Sequence, residues 1–182
     1  MTGTKQILAI IGSASSNSSN ERLIDFIQNE TSGIFQLTVF NALKTLPHFD
    51  PERSVANSPA EIEAIRASIA KADGVIICTP EYIFSVPSGL KNLLEWCVAT
   101  TIFNEKPVGI ITASAHGQKG HEELKRIMQT LMARFTEQTT LLIPGIKGKV
   151  GRDGKLSDQS TIEALRQFIE AFRSIVGEET GH

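Results

Sequence analysis

The residues best suited to chemistry in this chain are polar, uncharged and crowded into one short stretch. Gly12-Ser-Ala-Ser-Ser-Asn-Ser-Ser-Asn20 offers hydroxyls at Ser13, Ser15, Ser16, Ser18 and Ser19, and amides at Asn17 and Asn20. Such groups donate hydrogen bonds to anionic oxygens without adding charge. The stretch follows an apolar run, Ile7-Leu-Ala-Ile-Ile11, and precedes a helical pattern from Glu21. A polar turn between a buried strand and a helix presents backbone N–H groups and a positive dipole end to an anion. Alone, such a turn reads equally well as a solvated loop. Its place in the chain favours a phosphate.

Other chemistries are excluded by what is missing. A phosphorelay receiver needs acidic residues after its first strand and an aspartate after its third, where this chain has Gly12-Ser13 and Thr79-Pro80. Cys78 is not followed by the arginine that closes a cysteine-phosphatase loop. No G-x-S-x-G elbow, G-x-G-x-x-G fingerprint or G-K-[ST] loop occurs. The four histidines are scattered and the two cysteines, Cys78 and Cys97, form no metal-spaced cluster, so no metal site is expected.

The elements that must position the polar stretch can be read in order. Ser18-x-x-Glu21 has the form of a capping box, with Asn20 as a competing cap, and opens a helix over Glu21–Thr31 carrying Leu23, Ile24 and Ile27. Phe35–Phe40 alternates as a strand. Leu46–Pro51 is irregular, broken by two prolines. Ser58-Pro-Ala-Glu61 opens the next helix, with Pro59 at its first position and Ile62, Ile65 and Ile69 on one face. Gly74–Thr79 is a buried strand, Pro80–Pro87 a long loop, and the following helix carries Leu90, Leu93, Leu94, Cys97 and Val98. Val108–Thr112 is another buried strand, and Ala113–Gly120 a small-residue loop. Leu124, Ile127, Met128, Leu131, Met132 and Phe135 then keep helical spacing. Thr139–Ile143 is the last strand, Pro144–Asp158 a connection, and Ile162–Val176 a final helix with Leu165, Phe168, Ile169 and Phe172 inward.

Strict β-α alternation predicts an α/β fold: a three-layer, doubly wound, parallel five-stranded sheet in the flavodoxin-like order 2-1-3-4-5. Residues 1–182 read as one domain with a disordered tail from about 177. In such sheets ligands bind beyond the carboxyl ends of the strands. The loops 12–20, 80–87 and 113–120 follow strands one, three and four, so all three open on one edge.

Composition narrows the partners. With 41% hydrophobic residues, 21% charged and a net charge of -2, pI about 6.1, nothing points to nucleic acid or an anionic membrane. Apolar runs are too short to span a bilayer, and Met1–Gln6 has no hydrophobic signal core. Low cysteine content suits a reducing cytoplasm.

Pro80-Glu-Tyr-Ile-Phe-Ser-Val-Pro87 has the composition of a wall for a planar ring, with Tyr82, Ile83 or Phe84 supplying apolar surface; Phe84 more readily covers the core or a subunit contact. Glu81 suggests a general acid, although a structural or solvated carboxylate is the commoner state. Lys119, His116 and His121 lie near enough to meet a nucleotide phosphate, or are solvated. Trp96 lies about 100° round its helix from the apolar stripe, a partly buried or interface position.

These stretches resemble a known family. Gly12-Ser-x-Ser-x-x-Ser-x-Asn20 is similar to the G-S-x-R-x-x-S-x-N phosphate loop of NAD(P)H-dependent FMN reductases, which include quinone, chromate and azo-dye reductases. Thr79-Pro-Glu-Tyr-Ile-Phe-Ser-Val-Pro-Ser-Gly-Leu-Lys-Asn-Leu-Leu-Glu-Trp96 resembles their second signature, T-P-E-Y-N-x-S-x-P-x-x-L-K-N-x-x-D/E-W. The resemblance implies that Ser13, Ser18 and Asn20, beside the hydroxyls of Ser15 and Ser19, hold the phosphate of FMN. It places Pro80, Glu81, Tyr82 and Ile83 against the flavin ring, and Ser114, Ala115, His116 and Gly117 beside it. It implies hydride transfer from NADPH or NADH to flavin N5, then reduction of a quinone, azo compound, metal oxyanion or free flavin in a ping-pong cycle. No side chain need give a proton, so no catalytic residue is named. A homodimer or homotetramer is implied. Two departures stand out: Ser15 replaces an arginine and Ile83 an asparagine, which predicts weaker FMN retention, with Arg22 as a compensating charge. The alternatives are a flavodoxin-like electron carrier without turnover, or a member that has lost its flavin.

Overall fold

Ile7, Ala9 and Ile11 face one side of the sheet and Leu8 and Ile10 the other, and all five are buried. They belong to β1 (Lys5–Ile11) of the computed structural model, which describes residues 4–15, 17–151 and 153–178. Ser16 and the tail residues Glu179–His182 lie outside the described residues. A run buried on both faces must be apolar throughout, as this one is.

The chain continues through α1 (Ser19–Glu30), β2 (Phe35–Phe40), a short α2 (Pro51–Ser54), α3 (Ala60–Lys71) and β3 (Gly74–Thr79). It ends with α4 (Ser88–Cys97), β4 (Val108–Ser114), α5 (Gln118–Thr130), β5 (Thr140–Pro144) and α6 (Gln159–Gly177). The five strands form one parallel sheet in the order β2-β1-β3-β4-β5, as the alternation predicts. Register pairs Ile11 with Cys78, Thr79 with Thr112, and Ser114 with Pro144. The carboxyl ends of β1, β3, β4 and β5 therefore finish on one edge.

Helices cover both faces. Leu23, Ile24 and Ile27 of α1 and Leu165, Phe168 and Phe172 of α6 pack on the face of Ile76 and Cys78. Ile65 and Ile69 of α3, Leu90 and Leu93 of α4, and Leu124 and Met128 of α5 pack on that of Val75 and Ile77. Complete burial of each such side chain is worth about 1.5–3 kcal/mol.

Several local expectations are corrected. Pro59 stands just outside α3, at its N-cap, because its ψ of 150° is extended. Val98 and Met132 are exposed, since α4 stops at Cys97 and α5 at Thr130, and Met132 then reverses the chain at φ 59°. Gly177, assigned to a disordered tail, is the last residue of α6.

Trp96 is fully buried rather than partly exposed or at an interface. Its indole N–H donates to the Pro47 carbonyl at 2.9 Å, which Asn92 Nδ2 also meets at 2.9 Å. Phe49 packs edge-on against the indole. Trp96 and Asn92 thus anchor the irregular segment before α2 onto α4. The buried Arg66 guanidinium is satisfied by the Trp96 and Ser54 carbonyls, the Ser58 hydroxyl and Glu63.

Candidate active site

Gly12 follows β1 at a point where nothing larger fits. A Cβ there would lie 2.2 Å from Thr79 Oγ1 and 3.1 Å from Leu90 Cδ2. Its N–H donates to the Cys78 carbonyl at 2.8 Å, so the turn begins pressed against the end of β3. Ser13 is buried, and its hydroxyl accepts from the Ser15 N–H at 3.2 Å. Ser18 caps α1 with the reciprocal box that its spacing predicts: Ser18 Oγ accepts from Glu21 N–H at 3.3 Å, and Glu21 Oε2 from Ser18 N–H at 3.1 Å. The N–H groups of Ser19 and Asn20 have no intrahelical acceptor and sit at the positive end of the helix.

Asn20 does something that spacing alone conceals. It is 3% exposed, and Nδ2 donates to the Ala113 carbonyl at 3.3 Å. Its Oδ1 accepts from Cys78 Sγ at 3.3 Å. The amide implied as a phosphate ligand is largely spent on bracing α1 against the ends of β3 and β4. Burial raises the pKa of the Cys78 thiol strongly, keeping it protonated and able to donate.

The first and third loops meet the second around one cavity of about 810 Å³, within the roughly 300–1,000 Å³ of small-molecule sites. Ser13, Ser15, Ser18, Ser19 and Asn20 line it from the first loop, Pro80 and Tyr82 from the second, and Ser114 and Ala115 from the third. Glu81, Ile83, His116 and Gly117 are not on its wall. The Glu81 carboxylate is turned onto the start of α5, where it accepts from Gly117 N–H at 3.2 Å and Gly120 N–H at 2.8 Å. Glu81 is therefore a structural group, not a general acid. Ile83 and Phe84 form the exposed tip of a turn closed by Tyr82 and Ser85. His116 is exposed, and Gly117 takes φ 89° ahead of α5. His121 lies off the cavity, its Nδ1 2.9 Å from Thr112 Oγ1, and burial lowers its pKa.

The reading of the sequence missed one wall. Gly145, Ile146, Lys147 and Gly148, after β5, also line the cavity. The rule that gathers the other loops at the carboxyl edge applies equally to this one, and its Gly-x-Lys-Gly composition was the available signal. Arg22, expected to compensate for the absent arginine, points elsewhere: it pairs with Asp25 at 3.5 Å and lines a separate depression with Asp153 and Gly154. Among the described residues no cluster of three metal-ligating side chains occurs, and no helix is long and apolar enough to cross a membrane.

A doubly wound parallel sheet with this hydroxyl-lined cavity at its carboxyl edge defines a flavodoxin-like protein. The chain belongs to the family described as NADPH-dependent FMN reductase, which it matches over residues 6–147. It is 33% identical over 172 residues to a Vibrio ruber protein named NADH:(hydroxy)cinnamate reductase subunit CrdA, covering 91% of this chain and 84% of that one. It is 28% identical over 183 residues to the quinone reductase of Escherichia coli strain K12, covering 97% of each. The structure of FerB, a flavoenzyme NAD(P)H:(acceptor) oxidoreductase from Paracoccus denitrificans, superposes with a TM-score of 0.76 at 22% identity, over 95% of this chain and 97% of that chain. The family makes this protein an oxidoreductase whose cofactors are FMN and NADH or NADPH.

Proposed function

We propose that this protein reduces small electron acceptors, quinones foremost, at the expense of NAD(P)H. The observation that carries the reading is the convergence of loops from β1, β3, β4 and β5 on one cavity whose wall is hydroxyls, amides, apolar surface and one lysine, Lys147. A bound FMN would supply the two-electron hydride chemistry at its N5, and this chain's own residues would position it. Ser13, Ser15, Ser18 and Ser19, with the first N–H groups of α1, bind the phosphate; Asn20 contributes by holding α1 in place. Pro80 and Tyr82 supply the flat apolar wall, and Ser114 and Ala115 close the opposite side. Glu81 and Gly117 act from behind, fixing the third loop. Azo compounds, metal oxyanions and free flavin suit the same open site.

The exposed apolar tip at Ile83 and Phe84, beside the cavity, supports a homodimer or homotetramer in which a second copy covers it. Light scattering that finds an FMN-loaded, active monomer removes that part of the reading.

Anaerobic spectroscopy tests the function. The FMN-loaded protein should lose its visible flavin bands on addition of NADPH or NADH and regain them with a quinone. Bands that neither nucleotide bleaches would make the protein an electron carrier, and a protein that takes up no FMN would be a member that has lost its cofactor.

A further inference from the structure

The phosphate cradle has a charge deficit. A phosphate monoester carries about -1.5 to -2 at pH 7, whereas the helix end offers only about +0.5 and the serines none. The carboxylate of Glu21 in the first turn of α1 adds to the deficit. Ser15 brings a hydroxyl and no charge, and Arg22 is engaged with Asp25 outside the cavity. Lys44 does not line the cavity; it meets Ser13 and Ser15 in a neighbouring depression that Glu21 also lines.

We infer that Lys147, from the loop after β5, supplies the positive charge at the phosphate, a role that rests on the FMN reading above. Lys147 lines the same cavity as Ser13, Ser15 and Ser18. Its backbone is fixed on the side where α1 lies: Ile146 is 4% exposed and packs in the core cluster of Leu23 and Ile24. On either side of it, Gly145 donates to the Ala115 carbonyl at 3.1 Å and Gly148 to the Gly145 carbonyl at 3.0 Å. Gly145 takes φ 66°, the left-handed turn that brings the chain back over the cavity. Among the described residues no carboxylate pairs with Lys147, whereas Lys149, two positions on, is held by Asp158 at 3.1 Å. A lysine is a point charge on a flexible stem, suited to a phosphate that no planar guanidinium fork clasps. The charge absent from the first loop is thus provided by the fourth.

Titration of the flavin-free protein with FMN and with riboflavin, which lacks the phosphate, tests this. Lys147→Gln should weaken FMN about tenfold, the scale of one charge-assisted hydrogen bond, and leave riboflavin unchanged. Lys147→Arg should keep FMN affinity, and Ser15→Arg should restore it in the Lys147→Gln background. Equal loss of both flavins, no loss of either, or an FMN-selective loss in Lys44→Gln instead would overturn the assignment while leaving the FMN reading intact. A wild-type protein that binds neither flavin would overturn the FMN reading itself, and Lys147's role with it.

Discussion

Glu81 and Gly120 clasp the second and third loops of the cavity together. The carboxylate Oε2 accepts the Gly120 N–H at 2.8 Å, and Oε1 accepts that of Gly117 at 3.2 Å. Because Gly117 has no side chain with which to cap α5, an acid from another loop satisfies the orphan donors and meets the helix dipole. The Ser114 hydroxyl adds a third tie, donating to the Glu81 carbonyl at 3.3 Å. The groove between β3 and β4 is therefore set by a cap borrowed across the sheet edge.

Removing that cap should loosen the site before it touches any chemistry. Glu81→Ala is expected to cost about 1–2 kcal/mol of stability, within the range for a lost N-cap, and Glu81→Gln less, because one acceptor oxygen remains. Urea midpoints read the stability, and hydrogen exchange at Gly117 and Gly120 should accelerate. An unchanged midpoint and unchanged exchange would show that the helix start holds itself.

Ile83 and Phe84 occupy the two central positions of the Tyr82–Ser85 turn at φ 50° and 59°. The turn is closed by Tyr82 N–H to the Ser85 carbonyl at 3.0 Å and Ser85 N–H to the Tyr82 carbonyl at 3.1 Å. Left-handed backbone costs an ordinary residue about 1–2 kcal/mol, and Asn and Gly are the residues that favour such turns. Since Ile83 is 94% exposed, Ile83→Asn gives up no core packing. At concentrations where the protein is monomeric it should raise the urea midpoint by an amount corresponding to about 0.5–1 kcal/mol, and a fall there would show that the turn is not strained.

Much of this architecture was legible because each strand and helix announces itself by period. The continuous run Ile7–Ile11 and the stripes of α1 and α6 leave little choice of face, and Ser18-x-x-Glu21 is a local motif whose geometry follows from its spacing. What escaped the sequence depends on partners far along the chain. Asn20 reads as a ligand until Cys78 and Ala113 are seen beside it. Trp96 reads as half-exposed until Pro47 and Phe49 fold over it. Lys147 sits in a connection that joins the cavity wall only when β5 takes its place at the sheet edge.

The contact between Gly12 and Thr79 predicts a sharp intolerance. Gly12→Ala would put a methyl 2.2 Å from Thr79 Oγ1 and 2.5 Å from Thr79 Cβ, and overpacking of this kind costs about 1–3 kcal/mol or more. Thr79→Gly removes both atoms, so the double variant should be more stable than the sum of the two single losses. Strict additivity in denaturation curves would show that the strain is relieved elsewhere.

Both thiols should be silent in the native protein. Cys78 is wholly buried with its thiol pKa raised, and burial pushes that of Cys97 up to about 12. The thiolate is the reactive form, so a disulfide reagent at pH 8 should label neither cysteine until the chain unfolds. Rapid labelling under native conditions would mean that the Asn20–Cys78 brace opens readily.

Asp158 gives the fold a dependence on acid. It caps α6, and its Oδ2 accepts from Ser160 Oγ at 2.6 Å, Thr161 Oγ1 at 2.6 Å, Lys149 Nζ at 3.1 Å and Thr161 N–H at 2.9 Å. These donors, the Ser160 hydroxyl foremost, hold its carboxyl far below the ordinary value of 3.8. The folded state therefore prefers the carboxylate more than the unfolded chain does. That preference contributes in full above pH 4 and is lost as the pH falls from there toward the depressed folded value. Asp158→Asn keeps a capping oxygen but removes the charge. Its urea midpoint should fall below that of the wild type by a constant margin from pH 8 to pH 5, and the margin should narrow below pH 4. A margin as wide at pH 3 as at pH 7 would assign the loss to cap geometry and not to ionisation.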